Sequence, residues 1–184
     1  MPRTLILALV MLTLTGQAAA ACSRPEELAQ LKGEEAFVQT RTFKGMAKPL
    51  ISAGVVKPSG DGVLWTVEKP VKIVTRINPN GVTQSIEDGP EQPVGPATGA
   101  NPFIADTGLL DLLKGDLSKL PARYDVSRSA RVKPEGFHLE MKPKASSLSP
   151  YISAISIEGC QRIEAITVAE ANGDTIRIDF KGKT

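Results

Sequence analysis

The sequence predicts an α+β fold: one large antiparallel sheet carrying two helical insertions. Three observations lead there. Apolar residues recur at every second position along most of the chain, the links between those runs are too short for parallel crossovers, and two segments replace the alternation with helical spacing.

The chain opens on Met1-Pro2-Arg3, a short apolar run from Leu5 to Leu14, and the small residues Ala18 to Ala21. This order of charge, apolar run and small residues is the grammar of a secretory signal. The apolar run is about ten residues, and a bilayer-spanning helix needs ~20. We therefore read residues 1–21 as a signal peptide and residues 22–184 as one exported domain. The expected location is the periplasm.

Two cysteines, Cys22 and Cys160, follow the signal. In an oxidising compartment an even count points to a disulfide. The other reading makes Cys22 a lipidated N-terminal cysteine. A bacterial lipoprotein signal places Leu three residues earlier, where this chain has Ala19, and Cys160 would lack a partner. The disulfide is the favoured reading.

Ser23-Arg24-Pro25-Glu26 has the features of a helix start, and Leu28, Leu31 and Ala36 continue at helical spacing, so a first helix is expected from Pro25 to Gln39. Beyond Pro49 the period becomes two. Lys57-Pro58 ends one strand, Val63, Trp65 and Val67 share a face of the next, and Val71, Ile73, Thr75 and Ile77 follow. Asn78-Pro79-Asn80-Gly81 is a hairpin turn leading into Val82, Gln84 and Ile86. Residues 87–102 hold four prolines and three glycines and read as a loop, excluded from helices and central strands.

Leu109, Leu110, Leu112, Leu113, Leu117 and Leu120 then predict a second helix, capped by Asp106 or Thr107. Its leucine density exceeds what one buried stripe requires, so part of it should touch a second layer or a ligand. Strands return with Tyr124 and Val126, with Phe137, Leu139 and Met141, with Ile155 and Ile157, and with Ile163 to Val168. After the turn Asn172-Gly173-Asp174, the residues Ile176, Ile178 and Phe180 alternate against Arg177 and Asp179. Roughly eight to eleven strands are expected.

Composition narrows the function. The 22 basic and 20 acidic residues are interspersed, and aromatic residues are only 4% of the chain, which argues against a nucleic-acid partner. His138 is the only histidine and falls on the polar side of its strand. No nucleophile elbow, phosphate loop or zinc ligand set is present. The chain reads as a non-enzyme without cofactor or metal. On pattern alone, the apolar sheet face and the leucine-rich helix could equally pack together as an ordinary core.

Several motifs in succession resemble those of the LolA family, periplasmic carriers of outer-membrane lipoproteins. Phe37-Val38-Gln39 resembles the family's Phe-x-Gln. Lys57-Pro58 followed by Trp65 resembles its strand-ending basic residue and Pro followed by Trp, with Lys57 standing where Arg is usual. Pro70 and the Asn80-Gly81 turn resemble the Pro and Asp-Gly turn that come next. Leu139 running into Lys142-Pro143-Lys144-Ala145-Ser146, with a further strand from Ile152 to Ile157, resembles its apolar strand and Pro-Lys step. The family's second Trp, after the Asp-Gly turn, has no counterpart here.

The resemblance implies an unclosed half-barrel sheet with helices covering its concave apolar face and a hydrophobic cavity for acyl chains. The cavity and lid would draw on Phe37, Val63, Trp65, Val67, Leu109, Leu112, Leu113, Phe137, Leu139 and Met141, with Lys57 at the basic motif position. It further implies a lipid or lipidated protein as ligand, an inner-membrane donor, an outer-membrane acceptor and transient membrane contact. Two alternatives stay open: a LolB-like acceptor anchored through Cys22, and an accessory carrier for glycolipid or aryl-polyene export. A hydrolase acting on a lipid or glycan in the same compartment is the reading from another class. It predicts a polar cleft with a catalytic constellation.

Overall fold

The computed structural model describes residues 22, 33–94, 108–114, 116–144 and 148–182. The signal peptide, residues 25–32 of the expected first helix, residues 95–102 of the loop and the expected caps Asp106 and Thr107 lie outside them.

Eleven strands form one antiparallel sheet. They are β1 (Glu35–Thr42), β2 (Leu50–Ser59), β3 (Gly62–Lys69), β4 (Ile73–Asn78), β5 (Gly81–Ile86), β6 (Gln92–Val94), β7 (Tyr124–Val132), β8 (Glu135–Pro143), β9 (Ile152–Gly159), β10 (Ile163–Glu170) and β11 (Thr175–Lys181). Their order across the sheet is β6-β5-β4-β3-β2-β1-β11-β10-β9-β8-β7. Two meanders, one from each half of the chain, are thus joined where β1 pairs with β11, Phe37 opposite Phe180 and Gln39 opposite Ile178. The outermost strands β6 and β7 do not pair with each other. The sheet is an unclosed half-barrel.

Alternation decides which face is buried. Phe137, Leu139 and Met141 of β8 are buried, while His138 and Glu140 between them and Lys142 after them are not. The same holds for Ile176, Ile178 and Phe180 of β11 against Arg177 and Asp179. Because facing partners in register share a side, one concave row runs Ser52, Gln39, Ile178, Ile166, Ile157, Leu139 across six strands. The convex side is polar and solvated, as expected for an antiparallel sheet covered on one face only.

Among the described residues the covering layer is small. Helix α1 (Leu109–Leu113) packs against β3, a single 3-10 turn spans Leu117–Lys119, and helix α2 (Leu120–Arg123) leads into β7. The expected continuous second helix is therefore broken into three pieces. Asp116 explains the restart: its carboxylate accepts a hydrogen bond from the Ser118 backbone N–H and so caps a new turn. Pro121, near the start of α2, suits a first helical turn, where its missing N–H has no partner to lose.

The first helix is corrected more strongly. Residues 35–39, expected as its last turn, belong to strand β1. Val38, Thr40 and Thr42 are β-branched, pack well on a pleated sheet and lose rotamer freedom in a helix. Between β2 and β11, this segment gains two ladders of hydrogen bonds that an isolated helical turn would lack.

Gly54 in β2 shows how tightly the sheet is built. A Cβ placed there would lie 1.9 Å from the Thr66 carbonyl oxygen of β3. The register slips by one residue between Ala53 and Gly54, and only a residue without a side chain allows that approach.

Candidate functional site

The concave face is a single apolar cluster. It takes Phe37 from β1, Val56 from β2, Val63 and Trp65 from β3, Ile77 from β4, Val82 from β5 and the buried residues of β8 to β11. Leu112, Leu113, Leu117 and Leu120 close over it from the helical layer, and Val67 and Leu110 pack against its margin. Aliphatic side chains dominate, and three of the five aromatic ones, Phe37, Trp65 and Phe180, gather together. The rings of Phe37 and Trp65 are tilted with centroids 4.3 Å apart, and Phe180 meets Trp65 edge-on at 6.3 Å. Such pairs contribute roughly 0.5–1.5 kcal/mol beyond burial.

The lone tryptophan is therefore fixed between the two meanders. Its strand is framed by the Ser59–Gly62 turn and by Lys69-Pro70, so Val63, Trp65 and Val67 point inward while Leu64 and Thr66 point outward. Polar groups enter the concave face beside it. Thr75, opposite Trp65, is buried, and its hydroxyl accepts a hydrogen bond from Gln84 Nε2 at 3.0 Å. The row continues to Gln92 in β6. A depression of about 290 Å³ lies there, lined by Gln84, Ile86, Gly89, Pro90, Gln92, Pro93 and Val94. At the other edge a depression of about 350 Å³ is lined by Cys22, Arg128, Ser129, Ala130, Gly136 and Phe137.

Of the residues expected in the cavity and lid, Phe37, Val63, Trp65, Leu112, Leu113, Phe137, Leu139 and Met141 meet in the one cluster, with Val67 at its margin. The Leu109 side chain lies outside the described residues. Lys57 does not join them. It follows Val56 in the alternation, faces the convex side, and its ammonium sits 3.8 Å from a Glu34 carboxylate oxygen.

Cys22 and Cys160 form a disulfide across 138 residues. Beside it, Glu35 pairs with Arg162, and burial pushes the Glu35 carboxyl above its ordinary range, only partly opposed by that guanidinium. Sequence reasoning missed this pair, since nothing in the chain marks Glu35 and Arg162 as neighbours.

The convex face carries the other charged groups that sequence reasoning passed over. Arg131 and Arg177 converge on Glu158, at 3.8 and 3.5 Å, and bind Glu164 and Asp179 in addition. Ser129, His138 and Glu158 are register neighbours there, which is the residue set of a hydrolytic triad. Their geometry does not follow it. No hydrogen bond joins Ser129 to His138 among the described residues, and His138 Nδ1 stands 3.7 Å from Glu158 Oε1, too long for one. No group of three or more metal-ligating side chains occurs among the described residues. No described helix is long and apolar enough to cross a membrane.

No family profile and no curated protein sequence matches the chain. Solved structures do. A LolA superfamily protein from Nitrosomonas europaea is similar at 9% identity and a TM-score of 0.47, over 86% of this chain and 88% of that one. A DUF1329 family protein from Desulfovibrio piger is similar at 10% identity and a TM-score of 0.43, over 83% and 85%. A protein from Vibrio parahaemolyticus, described as a domain of an outer membrane lipoprotein-sorting protein, is similar at 11% identity and a TM-score of 0.41, over 82% and 84%.

Proposed function

We propose that this protein is an exported, periplasmic carrier that takes acyl chains of a lipid or lipidated protein onto the concave face of its sheet and moves them from the inner to the outer membrane. The observation that carries this reading is the form of the apolar cluster. A half-barrel left open between β6 and β7 is lined by aliphatic side chains from most of its strands and covered, among the described residues, by α1, the 3-10 turn and Leu120 of α2. An acyl chain that replaces the Leu112 and Leu113 side chains against β3 finds the same apolar surroundings. Transfer out of water contributes about 0.8 kcal/mol per methylene. Release then moves this cover, since among the described residues α1 packs chiefly on β3 and the turn that follows it. The motif succession from Phe37 to Ile157 supports the same reading.

A lipid anchor at Cys22 would require the sulfur that Cys160 holds, so the disulfide disfavours an anchored acceptor. Export of a glycolipid or pigment uses the same cavity chemistry and is distinguished by the cargo alone.

The test replaces Leu112 with Asp. The position is buried, so an unpaired carboxylate there cannot coexist with a bound acyl chain without a cost of several kcal/mol. Binding of a fluorescent fatty-acyl probe should fall at least tenfold while the β-sheet circular dichroism is retained. Wild-type probe affinity in Leu112→Asp would refute the lid assignment.

A further inference from the structure

The large hydrophobic side chains left in water are not scattered. Among the described residues eight are exposed: Met46, Leu50, Ile51, Val71, Ile86, Val126, Val132 and Tyr151. All but Val132 lie on the side of the sheet where β1–β2, β3–β4, β5–β6, β8–β9 and β10–β11 connect. Leu50, Arg41, Ile176, Val168, Ile155, Met141 and Val126 form one row there, and the β1–β2, β8–β9 and β10–β11 connections turn beyond that level. The opposite end holds the disulfide, the Glu35–Arg162 pair and Val132 alone.

The most exposed part of this rim is the β1–β2 connection. Met46 is 61% exposed, Ile51 59% and Leu50 51%, within the run Phe43-Lys44-Gly45-Met46-Ala47-Lys48-Pro49-Leu50-Ile51. Lys44 and Lys48 are interleaved with them, the run holds no carboxylate, and neither ammonium pairs with one among the described residues. Tyr151, 52% exposed, stands on the same rim, where its carbonyl accepts from the Ala171 N–H.

This tip is held in place. The Met46 N–H donates to the Phe43 carbonyl, with Gly45 at φ 83°, a left-handed conformation that suits glycine. The Lys44 N–H donates to Asp174 Oδ1. Arg41 lies 5.0 Å over the Phe43 ring and donates to the Glu170 carboxylate at 2.9 Å. A protein that fixes a loop this firmly while leaving three aliphatic side chains in water is presenting them to something.

From these features we propose that the β1–β2 tip is a membrane-docking element, in which Met46, Leu50 and Ile51 enter the headgroup layer of a phospholipid bilayer while Lys44 and Lys48 meet its anionic phosphates. Apolar side chains interleaved with cations suit that interface, and a tyrosine beside them suits it further. The inference deepens the carrier reading by naming the surface that faces the membrane and rests on that reading for its purpose. The physical claim is tested apart from it.

The experiment is flotation of the full mature protein with vesicles of phosphatidylethanolamine and phosphatidylglycerol, compared with pure phosphatidylcholine. Binding is expected on the anionic vesicles and should weaken with salt. Lys44→Gln with Lys48→Gln should weaken it about 30-fold, since each lysine near an anionic surface contributes about 1 kcal/mol, roughly fivefold in affinity. Met46→Ser with Leu50→Ser and Ile51→Ser should weaken it at least tenfold on both lipids, and Val132→Ser at the far end should leave it unchanged. No binding to anionic vesicles, or equal loss from Val132→Ser and the tip variants, would overturn the proposal. A tip that binds a purified membrane protein but no vesicle overturns it too. Vesicle binding with no uptake of the acyl probe would instead sink the carrier reading and leave the docking element standing.

Discussion

Removing the Cys22–Cys160 bond is the perturbation whose size follows most directly from the architecture. The bond spans 138 residues, which is almost the whole domain. In the chain-entropy model a loop of that length restricts the unfolded chain by about 5 kcal/mol at 25 °C. Residual structure in the unfolded chain lowers the figure, and native disulfides in small exported domains typically contribute about 2–5 kcal/mol. The folded state adds a local reason for the upper half of that range. Cys160 follows β9 at the end of the sheet where Arg162 clamps Glu35, so the bond fixes residue 22 beside the start of β1 and against β7 and β8. We expect Cys22→Ser with Cys160→Ser to lose about 3–5 kcal/mol in equilibrium urea unfolding, with the circular dichroism of the folded state retained. A loss below about 1 kcal/mol would refute the reasoning. So would an intact mass of the mature chain that carries an added diacylglyceryl group in place of a disulfide's two missing hydrogens.

Other consequences follow from single residues. Gly54→Ala places a Cβ against the Thr66 backbone, which cannot move without breaking the β2–β3 ladder, and should cost about 2–3 kcal/mol in the same assay. Burial raises the folded-state pKa of Glu35 above its unfolded value, so ionising it in the folded protein is disfavoured. Wild type should therefore lose stability relative to Glu35→Gln as pH rises from below the unfolded carboxyl pKa through the raised folded one, and the difference should be level above that. Parallel melting-temperature profiles from pH 3 to 7, on the order of the carboxylate range, would contradict this.

Much of the fold was legible because one-sided burial writes itself into a sheet as alternation. The runs Phe137-Leu139-Met141 and Ile176-Ile178-Phe180, and the turns at Asn80-Gly81 and Asn172-Gly173, give β8, β11 and two hairpins directly. What misled was continuity. Helical spacing before residue 33 ran on into β1, although Val38, Thr40 and Thr42 argue for a strand, and leucines from 109 to 120 read as one helix across the Asp116 restart. The concave lining was legible for the same reason as the strands. The docking rim was not, because Leu50 and Ile51 look in sequence like any pair of core residues. Only the structure shows that Leu50 stands exposed at the end of a row that runs through the buried Ile176 and Val168, and that Ile51 faces the convex side.

The carrier account rests on a concave face that exchanges its own leucine cover for acyl chains. Native mass spectrometry of the protein purified from its own cell envelope, followed by organic extraction and lipid analysis, tests this most directly. The account predicts a bound lipid or lipidated protein that is lost in Leu112→Asp and retained in the tip variants. Protein that arrives empty, and stays empty when mixed with vesicles at a lipid excess of about a hundredfold over an expected micromolar Kd, would show that the apolar cluster is an ordinary core and contradict the central claim.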